Sequence, residues 1–140
     1  MIKDSLLFFN SKFGEYPYRQ ISVVKTPFLY GGMEYPNLVM IADNIVEKKD
    51  MARVIVHELA HQWWYGVVGN DQIREAWLDE SITEYSAFLF FENHSSYGLN
   101  YSSLIEDAKT TYDLYVDVII HDLKEKNKKE FVTSTNASWY

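Results

Sequence analysis

Residues 57 to 61 read His-Glu-Leu-Ala-His inside a segment, up to Gly66, that is otherwise almost entirely apolar and aromatic. Side chains four apart on a helix stand one turn above each other, with Cβ atoms about 6 Å apart, so His57 and His61 can turn their rings toward one point. With Glu58 after the first histidine, the run has the H-E-x-x-H form, in which two imidazoles bind zinc and the glutamate serves as general base toward water. A hydrolytic zinc site needs a third protein ligand and keeps its fourth position open. Glu80, separated from His61 by eighteen residues, is the candidate, since that length lets one helix finish, turn and return alongside as a second. Glu84 falls one turn further along the same face, where it can hydrogen-bond a ligand imidazole and raise its basicity. Asp79 points about a quarter turn away from Glu80 on a helix and is set aside as a ligand. The plainer reading is a satisfied polar cluster. Against it, a lone Glu beside two imidazoles in so apolar a segment costs several kcal/mol of desolvation, which a divalent cation removes.

The elements that must carry these residues follow from periodicity. Ile2, Leu6, Phe9 and Phe13 recur at helical spacing ahead of Gly14, predicting a helix over 2–13. The stretches 21–27 and 38–43 are β-branched and apolar, and FLYGGMEYPN between them is interrupted by paired glycines and Pro36, leaving room for a short edge segment. Asp50 is a plausible cap for a helix that Gly66 ends. A second helix is expected from about Arg74 to Asn93 with Trp77, Leu78, Ile82, Tyr85 and Leu89 as its apolar stripe. A third is expected over 102–124 with Ile105, Ala108, Tyr112, Tyr115, Val116 and Ile119. Trp63, Trp64 and Tyr65 read as core and as walls of the site, and His94 and His121 as exposed histidines near helix ends.

At 140 residues the chain is long enough for one domain with a real core. Its net charge of −7 and the absence of a basic patch argue against nucleic acid as a partner. No apolar run approaches the roughly 18 residues that cross a bilayer, and the start lacks signal-peptide features. The compartment is open, with the cytoplasm favoured on those two grounds alone. There are no cysteines, hence neither disulfide nor thiolate chemistry.

Taken together, GGMEYP at 31–36, HELAH at 57–61 and WLDES at 77–81 resemble the M1 family of zinc aminopeptidases, with its paired G-x-M-E-N and H-E-x-x-H-x18-E signatures. The likeness runs from the YPY near residue 16 to about residue 92 and fades beyond 95. It implies an α+β, thermolysin-like catalytic core holding one Zn2+ on His57, His61 and Glu80, with Glu58 as general base. It further implies that Gly31, Gly32 and Met33 lie along the substrate backbone and that Glu34 binds the free α-amine of a peptide. Tyr35 stands where the family most often has Asn. The family's oxyanion tyrosine sits in a Y-x-K-G context; Tyr140 lies at about the right distance, but no K-G follows, and that residue is expected past the end of the chain.

The resulting expectation is a single partial domain, 1–45 forming a helix and small sheet with the substrate-edge motif and 50–140 three helices of the zinc-binding part. It would be a piece of a longer aminopeptidase whose flanking domains are absent, poorly active alone, with a peptide bearing a free N-terminus and those remaining domains as its partners. The alternative is a non-catalytic binding or scaffold domain of peptidase ancestry, disfavoured because Glu58 and all three candidate ligands are present.

Overall fold

The computed structural model describes residues 1–125, with the side chains of Tyr101, Tyr115 and 117–125 left out. The chain runs α1 (Ile2–Phe13), β1 (Ser22–Thr26), β2 (Gly32–Met33), β3 (Leu38–Ala42), α2 (Lys48–Ala60), α3 (Ala76–Asn93), a 3-10 turn (Ser95–Tyr97) and α4 (Tyr101–Glu125). It is a small α+β fold. The sheet has three strands in the order β1-β3-β2. β1 runs parallel to β3, with Val24 opposite Met40, and β2 antiparallel to it, with Met33 opposite the same residue. Of the two connections needed, the longer one between parallel β1 and β3 contains β2 itself, so Gly32 and Met33 form the edge segment that the paired glycines left room for.

The core lies where α1, β3, α2 and α3 meet. Phe8 and Phe9 of α1, Val39 and Ile41 of β3, Val56 and Leu59 of α2, and Ala87, Phe90 and Phe91 of α3 are all buried in it, joined by Trp63 and Leu104. The aromatic surplus of the sequence is used here as edge-to-face pairs: Phe8 with Phe90 at 5.7 Å, Phe9 with Trp63 at 5.6 Å, Phe90 with Phe91 at 5.3 Å. Among the described residues no helix is long and apolar enough to cross a membrane.

Four expectations need correction. The helix read as starting from an Asp50 cap and reaching Gly66 instead begins after Glu47 and stops at Ala60, with His61 as its C-terminal cap. Beyond it the Gly66 amide donates to the His61 carbonyl at 2.9 Å and the Val68 amide to the Trp63 carbonyl at 2.8 Å. These wide turns let Trp63 reach back under α1, where its indole N–H donates to the Gly14 carbonyl at 2.9 Å, while Trp64 donates to Ser86 at 2.9 Å. In α3 the proposed stripe faces the wrong way: Trp77 is 63% and Tyr85 54% exposed, whereas Asp79, Thr83, Ser86, Ala87 and Phe90 turn inward. Apolar residues ring that helix, so spacing alone had more than one solution, and the buried polar side chains that decide it are satisfied by hydrogen bonds. In α4 it is Leu104 that is buried while Ile105 and Tyr112 are exposed; the side chains of Tyr115, Ile119 and His121 lie outside those described. His94 is half-buried rather than exposed, stacked on Phe90 at 4.2 Å with Nδ1–H donating to the Phe90 carbonyl at 2.9 Å.

Phe90 is fully buried and touches the rings of Phe8, Phe9, Phe91 and His94. Phe90→Ala is expected to cost about 3–5 kcal/mol, the usual range for an aromatic removed from a core. The check is the midpoint of urea unfolding at unchanged slope; a shift worth under about 1 kcal/mol would place the core elsewhere.

Candidate metal centre

His57 and Glu58 occupy the last turn of α2, and His61 caps it. Glu80 and Glu84 come from the first half of α3, which packs along α2. The Nε2 atoms of His57 and His61 are 3.2 Å apart, and Glu80 Oε2 lies 3.1 Å from the first and 3.5 Å from the second. Ligands about 2.05 Å from a tetrahedral ion are separated by roughly 3.3 Å, so the three atoms have the mutual spacing of three corners around one small cation. The other ring nitrogens show which tautomers are present. His57 Nδ1 faces Glu84 Oε2 at 2.8 Å, and His61 Nδ1 faces the Trp64 carbonyl at 3.1 Å, sharing that N–H with the Thr83 hydroxyl at 3.1 Å. A carboxylate and a carbonyl only accept, so both Nδ1 atoms carry protons and both Nε2 atoms face Glu80, His57 as the charged imidazolium that Glu80 and Glu84 stabilise. A proton can relieve one of these pairings at a time; a divalent cation relieves all three.

Glu84 is itself held. The guanidinium of Arg53, two turns before the end of α2, donates through Nε at 3.2 Å and through a second nitrogen to Glu84 Oε1, leaving Oε2 for His57. Asp79, judged not to be a ligand, turns instead toward the loop before α3, accepting from Asn70 at 3.1 Å and Gln72 at 2.7 Å. The Trp64 carbonyl that meets His61 is presented by a peptide leading into Tyr65, whose φ of 140° lies in a region that favours glycine.

Glu58 is fully buried, and neither carboxylate oxygen has a hydrogen-bond partner among the described residues. It fits because residue 32 is glycine: a Cβ there would lie 2.6 Å from Glu58 Cδ. Gly32 is thereby tied to the site by space, Gly31 and Met33 by their place beside it on the edge segment. Glu34 follows, 5% exposed, with Oε2 buried and unpartnered. One ligand-capable atom each from Glu34, Glu58 and His61 lies within 4.8 Å of the others, so the amine-binding candidate belongs to the same buried cluster as the candidate metal ligands.

The charges shift accordingly. Burial pushes Glu58 up to about 7, against the pull of the two imidazoles and helped by Glu34 and Glu80. Burial alone would lower His57, but hydrogen bonds to Glu80 and Glu84 and the charge of Glu58 outweigh it and hold His57 near 10. Burial would raise Glu80 and Glu84, but both are lowered, Glu80 well below the usual carboxylate range, chiefly by His57, with His61 also acting on Glu80 and Arg53 on Glu84.

Sequence reasoning did not single out Arg53 or Gln62. Gln62 carried a signal, being an uncharged polar residue directly after His61 in the run HQWWYG; it is 1% exposed. Arg53 had none beyond lying one helical turn before His57.

An α+β fold that gathers two imidazoles and a cluster of carboxylates into one buried layer between two helices has the build of a metallopeptidase core. The family profile described as Peptidase family M1 domain matches residues 1–137, and the chain belongs to that family. It is 38% identical over 64 residues to leucine aminopeptidase 2-1 of Scheffersomyces stipitis, covering 45% of this chain and 10% of that protein. Leucine aminopeptidase 2 of Candida albicans is 36% identical over 64 residues, with the same shares of 45% and 10%. Aminopeptidase B of Rattus norvegicus is 34% identical over 77 residues, 53% of this chain and 12% of that one. The matched part spans about a tenth of the length of these relatives. No solved structure gives a significant match.

Two measurements probe the cluster with Zn2+ as the test ion. Glu84→Ala is expected to weaken binding about 10- to 100-fold, as loss of an outer carboxylate usually does, read by competition with a chromophoric chelator. His57, held near 10, carries an extra proton at neutral pH that a cation must displace. Apparent affinity should therefore climb as pH rises from 7 toward 9, with about one proton released per ion by calorimetry in two buffers. An affinity flat over that range would mean that His57 is already neutral.

Proposed function

We propose that the chain is the metal-holding and amine-recognising part of a zinc aminopeptidase, acting on peptides with a free N-terminus. The observation that carries this reading is the juxtaposition of two groups in one buried cluster: three candidate ligand atoms 3.1 to 3.5 Å apart, and beside them two buried carboxylates, Glu58 and Glu34, with oxygens that no donor among the described residues satisfies. His57, His61 and Glu80 would hold Zn2+, which when bound supplies a Lewis acid that polarises the scissile carbonyl and makes water more acidic.

The remaining steps belong to the chain. Glu58, with its pKa near 7, is poised to take a proton from the attacking water and to return it to the departing amine. Its carboxylate accepts nothing from the protein, so both oxygens are free for that exchange. β2 is the edge strand of the sheet, and a peptide extended along Gly31, Gly32 and Met33 can use its outer side as a further strand. Glu34 closes the far end. A terminal ammonium there replaces the lost hydration of a buried carboxylate, whereas an acylated or internal nitrogen brings no charge and leaves Glu34 desolvated and unpaired. The names of the relatives, leucine aminopeptidase and aminopeptidase B, support the same reaction class. Turnover by this chain alone is expected to be slow, given that it matches only about a tenth of their length.

The test compares leucine p-nitroanilide with its N-acetyl counterpart over long incubations, with bound zinc measured in the same samples. Glu58→Gln is expected to lower turnover by roughly 100-fold or more while zinc content holds. Equal cleavage of the acetylated substrate would remove the aminopeptidase reading and leave a peptidase of another kind.

A further inference from the structure

Glu34 presents a physical difficulty: its Oε2 is buried and accepts from no protein donor, so nothing holds the carboxylate by its own end. Its position depends on its backbone, and there the sheet no longer helps. The ladder of β2 with β3 covers Gly32 and Met33 only, and the chain then reverses through Tyr35, Pro36 and Asn37, the last at φ 65°, before entering β3.

Two backbone bonds close that turn, Leu38 N–H to the Tyr35 carbonyl and Ser22 N–H to the Asn37 carbonyl, each at 2.9 Å, and the side chain that ties it to α2 is Gln62. Its amide nitrogen donates to the carbonyls of Glu34 and Tyr35, each at 3.3 Å, and its amide oxygen accepts the Asn37 backbone N–H at 3.0 Å. The Tyr16 hydroxyl lies 3.2 Å from the same oxygen and donates to Asn37 Oδ1 at 2.6 Å. A single buried side chain thus makes three bonds to the backbone of one turn. That side chain belongs to the residue directly after His61. The metal ligand and the backbone that carries the amine-binding carboxylate are consequently joined by one residue's length of chain and one amide group.

The geometry points to Gln62 as a positioning residue that sets the distance between the metal and the site of the substrate ammonium, and so the preference for a free N-terminus. The inference rests on the proposed role of Glu34 and adds what determines it. Gln62 touches neither substrate nor ligand atoms; it acts through the 34–37 backbone. A glutamine suits the task because it supplies two N–H donors and a carbonyl acceptor at this reach: Glu would face two carbonyls with no proton to give, and Leu would leave the Glu34 carbonyl and the Asn37 amide without the partners they have here, the Tyr35 carbonyl keeping the Leu38 N–H.

The experiment uses the zinc-loaded chain and its Gln62→Leu variant. Nuclear magnetic resonance reads exchange of the Asn37 amide and, in parallel, titrations with leucinamide and N-acetyl-leucinamide. Wild type is expected to protect the Asn37 amide and to prefer the free amine by about 10- to 100-fold, the usual worth of a hydrogen bond to a charged group. In Gln62→Leu the Asn37 amide should exchange freely and the preference fall toward unity, with zinc affinity and protection of α2 amides unchanged. Should that variant lose α2 protection as well, Tyr16→Phe, which removes only the hydroxyl at the edge of the network, is expected to shift both readouts in the same direction by less. Retention of the full preference in a folded Gln62→Leu, or free exchange of the Asn37 amide in wild type, overturns the inference. If wild type binds both probes equally, the Glu34 reading falls instead, and the exchange measurement still decides whether Gln62 holds the turn.

Discussion

The structure depends on one unfavourable act of burial. Glu58, His57, His61 and, in large part, Glu80 and Glu34 are withdrawn from water into the layer between α2, α3 and the edge strand. Carboxylates in such a place cost several kcal/mol each unless positive charge meets them, and among the described residues Arg53 and the imidazoles pair with them. The raised pKa of His57 and the depressed ones of Glu80 and Glu84 express one electrostatic demand from both sides. A cation at the common point of the three candidate ligand atoms would answer it, which is what makes a cluster so costly for folding a candidate binding site.

Around that layer the fold supplies rigidity in graded form. Each histidine is fixed at its far nitrogen by a different kind of partner, a carboxylate for His57 and a backbone carbonyl with a hydroxyl for His61. The difference follows from position. His57 lies inside α2 with its outer edge against α3, while His61 sits at the helix end, where the chain turns and a free carbonyl is at hand. Aromatic packing of α1 against Trp63 and Phe90 holds the end of α2 from behind, so the turn that carries His61 is supported by core as well as by hydrogen bonds.

The edge strand illustrates how a very small element can matter. β2 has two residues, yet Gly32 is the position whose missing side chain makes room for Glu58, and the following residue but one brings a second carboxylate to the same buried cluster. Backbone proximity here replaces side-chain contact, and that economy is possible only for glycine.

Much of the site was legible in order and spacing. H-E-x-x-H implies two rings on one helical face, eighteen further residues suffice for a return helix, and Glu84 one turn after Glu80 follows it toward the same imidazoles; local geometry decides all of this, since helical pitch is set by the backbone. The small sheet, the α1 helix and the α+β class were equally readable from period and punctuation. What sequence could not decide was anything that required comparing faces. α3 carries apolar side chains all round, so only packing against α2 determined that Thr83, Ser86 and Asp79 turn inward while Trp77 and Tyr85 face out. Likewise, the stop of α2 at Ala60 depends on where Trp63 and Trp64 find partners, and the buried bonds of Gln62 join residues up to 46 positions apart. Periodicity reports the local helix; burial and long-range hydrogen bonds are settled only when distant segments compete for the same space.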